Sequence, residues 1–386
     1  MSAAEDPAPL LQWLARHEAQ MLELLEAAVN IDTGSADKQG ADRLATLLAS
    51  HLDSHGIATK RHPLEHYGDC ISAEVPSASG RDPSHVLLLG HMDTVFPTGT
   101  AARRPFRIQD GLARGPGVAD MKAGLVMNVF VARAFAAVGG HQAPVRLFFT
   151  ADEEVASPAS RELTIGMARG ARAVFNAEPG RPTGNVVCGR KGAFFVDFEV
   201  KGVAAHAGVN PDKGASAIEA IARKVVELHQ LADPQAGISS NVGTIKGGMS
   251  VNTVAEHAEA QLDVRFPGGV DRDALRARIR EIIERGSVPN TCACIKREGI
   301  FLPFEPSEDS TRLLEKYRSC AAALDMFVDG EYTGGSADSG LTASIGTPTL
   351  CATGPVGGDV HTDREWLRVD TIVPRAQALA LTILDL

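Results

Sequence analysis

Seven side chains stand out by type and spacing: His91 with Asp93 two residues later, Asp120, the adjacent pair Glu153 and Glu154, Glu178 and, far downstream, His361. Imidazole and carboxylate are zinc ligands in hydrolytic centres. A centre with two ions about 3.5–4 Å apart needs a bridging carboxylate, a few terminal ligands and a base beside the attacking water. This chain supplies each part. Asp93 is spaced to orient the His91 ring through its second nitrogen. Glu153 and Glu154 are neighbours, so one can bind metal while the other takes a proton. Taken singly, each residue has a plainer reading: Asp120, just before a helical pattern, as an N-cap; Glu153-Glu154 as a solvated pair; His361 as a surface histidine. Joint occurrence argues against these readings, because His91, Glu153-Glu154, Glu178 and His361 each follow a separate apolar run.

Those runs are His85–Gly90, Val145–Thr150, Ala173–Asn176 and Pro348–Ala352. Short, apolar and separated by helical patterns such as Met121–Ala137, they predict a mixed, largely parallel α/β sheet with helices on both faces. Ligands of such sheets sit beyond the carboxyl ends of the strands, where these clusters lie. Leu10, Leu14, Met21, Leu24 and Leu25 recur at helical spacing and predict a surface helix over 10–29, with another over 39–55. From Lys191 the rhythm changes. Phe194, Val196, Phe198 and Val200 alternate with Phe195, Asp197, Glu199 and Lys201, which is a half-buried strand. Ile218, Ile221, Val225 and Leu228 mark an amphipathic helix. Strands near Asn241–Lys246 and Ala258–Val264, a helix with Leu275, Ile279 and Ile282, and a strand over Thr291–Lys296 complete the order β-α-β-β-α-β, that of a ferredoxin-like α+β unit. The expected organisation is a catalytic domain in two parts, 1–190 and 303–386, around an inserted domain, 191–302.

Hydrophobic residues make up 44% of the 386 and charged residues 22%, a globular balance with room for two or three domains. A formal charge of −10, from 38 basic and 48 acidic residues, offers no footprint for nucleic acid. Met1–Pro9 lacks the cationic and apolar regions of a secretory signal, and no stretch reads as the roughly 20 apolar residues of a membrane span. The six cysteines form no CxxC pair, so free thiols and a cytoplasmic location are expected. Gly334-Gly335-Ser336-Ala337-Asp338 lacks the last glycine of a nucleophile elbow, and no phosphate-binding glycine loop is present.

The spaced set GHMDTV at 90–95, GVADMKAG at 117–124, ADEE at 151–154, NAEPG at 176–180, AAHAG at 204–208 and HTDRE at 361–365 resembles the M20 family of di-zinc metallopeptidases, and within it the glutamate carboxypeptidase group. The likeness runs over nearly the whole chain. Carried over position by position, it implies two zinc ions per chain: Asp120 bridging both, His91 and Glu178 on one, Glu154 and His361 on the other. It makes Glu153 the general base and Asp93 the support of His91, and it implies a cis peptide between Asp120 and Met121. His206 matches a histidine of the inserted domain that reaches the neighbouring subunit's site. The resemblance therefore implies a homodimer through that domain, with His206 both catalytic and substrate-binding. The implied reaction is hydrolysis of the amide bond to a C-terminal amino acid, glutamate in this group. For the substrate carboxylate the chain offers Arg265, whose planar fork suits bidentate binding, and Asn252 in Gly247–Asn252. One departure is visible. Glutamate-specific relatives carry a further basic residue after the last inserted strand, where this chain reads Arg297-Glu298-Gly299-Ile300-Phe301. The apolar Ile300 and Phe301 leave N-acyl-amino-acid deacylase and dipeptidase activities open. A catalytically dead binding relative would have no need of Glu153, and its presence argues for an enzyme.

Overall fold

The computed structural model describes residues 6–78, 80 and 84–386. Residues 1–5 of the segment read above for a secretory signal lie outside the described residues. The chain divides into two compact units: 1–189 with 305–333 and 337–386, and 190–304 with 334–336.

The first unit is built around the helix Ala123–Val138, which is apolar on every side. All of Ala123 through Phe135 is buried, as a helix without a polar face must be. With the turn before it, Val118–Val138 is long and apolar enough, by length and composition, to cross a membrane, although Asp120 and Met121 interrupt its helical backbone and Asp120, Lys122 and Arg133 its apolar run. Its apolar window is 83% buried within the protein. An eight-stranded sheet runs in the order Thr59–His62, Cys70–Val75, Val145–Thr150, His85–His91, Ala171–Asn176, Thr349–Cys351, Val186–Arg190 and Gly330–Thr333. The sheet is mixed, parallel through its four central strands and antiparallel where Cys70–Val75 and Val186–Arg190 join them and where Thr59–His62 pairs with Cys70–Val75. Register decides where the chemistry emerges. His91 pairs with Thr150, while Leu89 and Cys351 both pair with Asn176, so the four central strands end at one edge of the sheet.

The helix expected over 10–29 is interrupted, giving Ala8–Arg16 and Glu18–Val29. His17 Nδ1 bonds to the Trp13 carbonyl at 2.7 Å, and the two rings stack 3.7 Å apart. That carbonyl is the one a continuing helix would give to the His17 amide, which turns to Leu14 instead. A small antiparallel sheet, Gly357–Gly358, Trp366–Arg368, Leu112–Arg114 and Arg107–Gln109, has no counterpart in the sequence reading. Strands of two or three residues carry too little periodicity to be seen.

The second unit contains strands Gly192–Lys201, Ser239–Gly247, His257–Phe266 and Cys292–Phe301 with helices Ala217–His229 and Arg272–Glu284. Its antiparallel sheet places the fourth strand beside the first, the first beside the third and the third beside the second, the ferredoxin-like arrangement. Phe194, Val196, Phe198 and Val200 bury one face together with Ala260, Leu262, Val264, Ile221 and Ile279. Both helices begin with side-chain caps, Ser216 accepting from Glu219 N–H and Asp271 from Asp273 and Ala274 N–H. The last strand continues past Lys296 to Phe301 after a bulge between Ile295 and Arg297, which shifts the side-chain alternation. Gly334–Ser336, left with the catalytic part by the sequence reading, groups with this unit: Ser336 Oγ donates to the Lys191 carbonyl at 2.8 Å and accepts from Arg265 Nη1 at 3.1 Å.

Candidate active site

His91 is the last residue of its strand and 2% exposed. Its Nε2 lies 3.2 Å from Asp120 Oδ1 and 3.6 Å from Glu178 Oε1. Asp120 turns its other oxygen, Oδ2, to His361 Nε2 at 3.2 Å, and that nitrogen is 3.3 Å from Glu154 Oε2. One carboxylate thus addresses two separate groups, His91 with Glu178 and His361 with Glu154. Glu153 stands on the His91 side, its Oε2 4.0 Å from Nε2. The donor atoms of His91, Glu153 and Glu178 lie within 4.8 Å of one another, as do those of His91, Asp120 and Glu154.

Local structure explains how Asp120 comes to this point. Gly117 opens the preceding turn with φ of 71°, and the Asp120–Met121 peptide is cis. At Gly124 a Cβ would stand 1.9 Å from the Ala177 carbonyl oxygen. Glycine therefore lets the start of the helix lie directly on the backbone next to Glu178.

Asp93 faces His91 with both its main-chain carbonyl and its carboxylate. The His91 Nδ1 proton goes to the Asp93 main-chain carbonyl at 3.0 Å, and the carboxylate is farther, at 3.5 Å. The carboxylate also accepts from Ser35 Oγ at 2.6 Å and from the N–H groups of Glu153 and Glu154, both at 3.1 Å. It fixes the turn that presents the two glutamates.

Charge is concentrated here. Burial opposes a charged His91, yet Glu153, Asp120 and Asp93 outweigh it and hold the imidazole pKa well above its ordinary value. His361, bonded to Asp120 and Glu154, is pushed up to about 11. Burial drives the Glu153 carboxyl well above the usual range; His91 opposes, and Glu178, Asp338 and Glu154 reinforce the rise. Glu154 Oε1 is buried without a hydrogen-bond partner. Asp120, Glu153, Glu154 and Glu178 thus set four carboxyl groups against two imidazoles, more acid than the histidines neutralise when all four ionise. Uncompensated buried charge costs several kcal/mol. This set of nitrogen and oxygen donors suits divalent cations.

His206, Asn252 and Arg265 lie in the second unit. His206 and Asn252 are brought together: Ala207 N–H donates to the Asn252 carbonyl at 2.9 Å, and His206 bridges to Thr253. His206 Nδ1 accepts the Gly208 N–H at 3.1 Å, which places the ring proton on Nε2. Arg265 is already engaged. Asp263 takes its Nε and Nη2 at 2.7 and 2.9 Å, Ser336 takes Nη1, and the guanidinium lies 5.0 Å from the Phe195 ring centre. Arg297 pairs with Asp197, and Glu298 with Arg276 and Arg280.

The sequence reading missed Ser35, the buried donor to Asp93, which no motif announces. It also missed Asp338, buried with Oδ2 unpartnered and bonded through Oδ1 to Ser157. Burial, then Asp152, lifts the Asp338 carboxyl to about 7. Its signal was present, since Asp338 ends the glycine-rich stretch set aside as a failed nucleophile elbow.

The sequence model of peptidase family M20/M25/M40 matches residues 87–385. The chain is 27% identical to carboxypeptidase G2 of Pseudomonas sp. (strain RS-16), over 98% of its own length and 92% of that protein's. It is 28% identical to succinyl-diaminopimelate desuccinylase of Burkholderia ambifaria (strain MC40-6), over 91% and 93%. Among solved structures, the M20 family metallo-carboxypeptidase Sso-CP2 of Sulfolobus solfataricus superposes with a TM-score of 0.77 at 17% identity, covering 95% of this chain and 99% of that one.

Proposed function

Because the chain belongs to peptidase family M20/M25/M40 and is a hydrolase, we propose that it uses two zinc ions to remove a C-terminal amino acid from a small peptide or an N-acyl amino acid. The observation that carries this reading is Asp120, whose two oxygens face His91 with Glu178 on one side and His361 with Glu154 on the other. Zinc held by these residues would supply Lewis acidity, lowering the pKa of water toward about 7 and polarising a carbonyl. Glu153, buried with its carboxylate 4.0 Å from His91 Nε2, takes a proton from the attacking water and returns it to the leaving amine. Asp93 holds Glu153 and Glu154 in place through their main-chain N–H groups.

His206 offers its Nε2–H to the carbonyl oxygen on which negative charge develops. In this reading the donor serves the partner's site in a homodimer formed through the second unit. Support comes from the surface of its own loops, where Val209, Met249 and Val251 are 75%, 87% and 102% exposed, an apolar surface that a second copy would cover. Asn252, beside His206, is placed to meet the substrate's carboxylate. Arg265 has its fork committed to Asp263, which favours a second reading, an N-acyl-amino-acid deacylase or dipeptidase without a strict choice of glutamate. A hydrolysis panel of N-acyl amino acids and dipeptides, varied on both sides of the amide, tests the function together with elemental analysis. Two zinc-type ions per chain and turnover of at least one substrate are expected. Full activity after exhaustive chelation would overturn the reading.

A further inference from the structure

Glu365 is 1% exposed. Its Oε1 accepts the N–H groups of Ala119 at 2.8 Å and Asp120 at 3.0 Å, and its Oε2 accepts that of Gly117 at 3.0 Å. The left-handed Gly117 turns these amides to one side, forming a cradle of main-chain donors around a carboxylate. The nearby Lys122 is spent elsewhere, its Nζ on the Ile31 and Pro116 carbonyls. The main chain of Glu365 secures a second segment. Its N–H donates to the Thr362 carbonyl at 3.2 Å, closing the turn that starts at His361, and Trp366 enters the short strand paired with Leu112–Arg114.

His361 depends on such a tether. Its side chain is 50% exposed and its φ is 63°, whereas His91 ends a fully buried strand and Glu178 follows one whose last four residues are buried. We propose that Glu365 is a positioning residue for the metal pair: by clamping the 117–120 loop to the 361–365 turn, it sets the distance between Asp120 and His361 and so the affinity for the ion on the His361 side. This inference rests on the two-metal reading above. Outer residues that orient ligands typically change metal affinity by about 10–100-fold when altered.

The test is a stepwise zinc titration of metal-free protein against a competing chelator, for wild type, Glu365→Gln and His361→Ala. Wild type takes two equivalents, and His361→Ala identifies the His361-side one by losing it. In Glu365→Gln an amide NH2 must face at least one of three N–H donors. The His361-side equivalent is expected to weaken by about 10–100-fold, with the other equivalent and the melting temperature little changed. Parallel weakening of both ions with a lower melting temperature would reduce Glu365 to a structural part and overturn the proposal, as would unchanged affinities. If wild type fails to bind two ions, or His361→Ala keeps both, the two-metal reading fails instead. Should Glu365→Gln not fold, hydrogen exchange in metal-free wild type decides. The amides of Gly117, Ala119 and Asp120 should exchange as slowly as strand amides, and rapid exchange overturns the clamp.

Discussion

Asp93 in the first unit and His206 in the second stand in motifs of similar length, yet they are held by opposite means. Asp93 is fully buried, and three donors converge on its carboxylate. His206 is exposed, and its ring accepts a single main-chain N–H from two residues away. The first arrangement desolvates and immobilises charge before any ligand arrives, which a metal centre requires. The second leaves a protonated Nε2 at the surface among exposed apolar side chains, a group suited to being offered to another molecule.

The largest effect expected from this contrast is at Glu153. Glu153→Gln should lower kcat by about 10²–10⁴-fold, and elemental analysis should show the metals retained; near-normal turnover would remove Glu153 from the role of base. Next comes His206→Ala, expected to cost about 10²–10³-fold in kcat while leaving metal content and melting temperature alone. Mixed with Glu153→Gln, it sharpens the comparison, because a mixed dimer then holds one site with both groups intact. With random exchange, recovery approaches about one quarter of wild-type activity. Demonstrated subunit exchange without recovery would show that His206 serves its own chain or none.

Smaller effects separate buried from exposed charge. Ser35→Ala removes one of three donors to a buried carboxylate and should lower stability by about 1.5–3 kcal/mol in denaturant unfolding. Glu219→Gln, in the second unit, breaks an ion pair to Arg223 in which the two side chains are 52% and 57% exposed. It should cost only about 0.2–1 kcal/mol. Equal losses at the two positions would contradict the division drawn between the units.

Much of this was legible in advance. The runs at 85–90 and 145–150 became central strands because a segment of that length with apolar residues on both faces has to be covered on both. The alternation at 194–201 became the buried and open faces of a strand for the equally local reason that side chains alternate. The break at His17 was not legible, since it turns on one side chain competing for a carbonyl. Nor was the small sheet beside the Asp120 loop.

By itself the sequence determined the chemistry available and the elements that carry it: acids and imidazoles following apolar runs, and the β-α-β-β-α-β order of the second unit. Only the tertiary structure decided which oxygen of Asp120 faces which histidine, that the Asp93 carboxylate serves Ser35, Glu153 and Glu154 more closely than His91, and that Asp263 occupies Arg265. The physical reason is range. Periodicity is written within a few residues, whereas a buried carboxylate takes its donors from wherever the packed chain brings them, 58 residues away for Ser35 and Asp93 and 248 for Gly117 and Glu365.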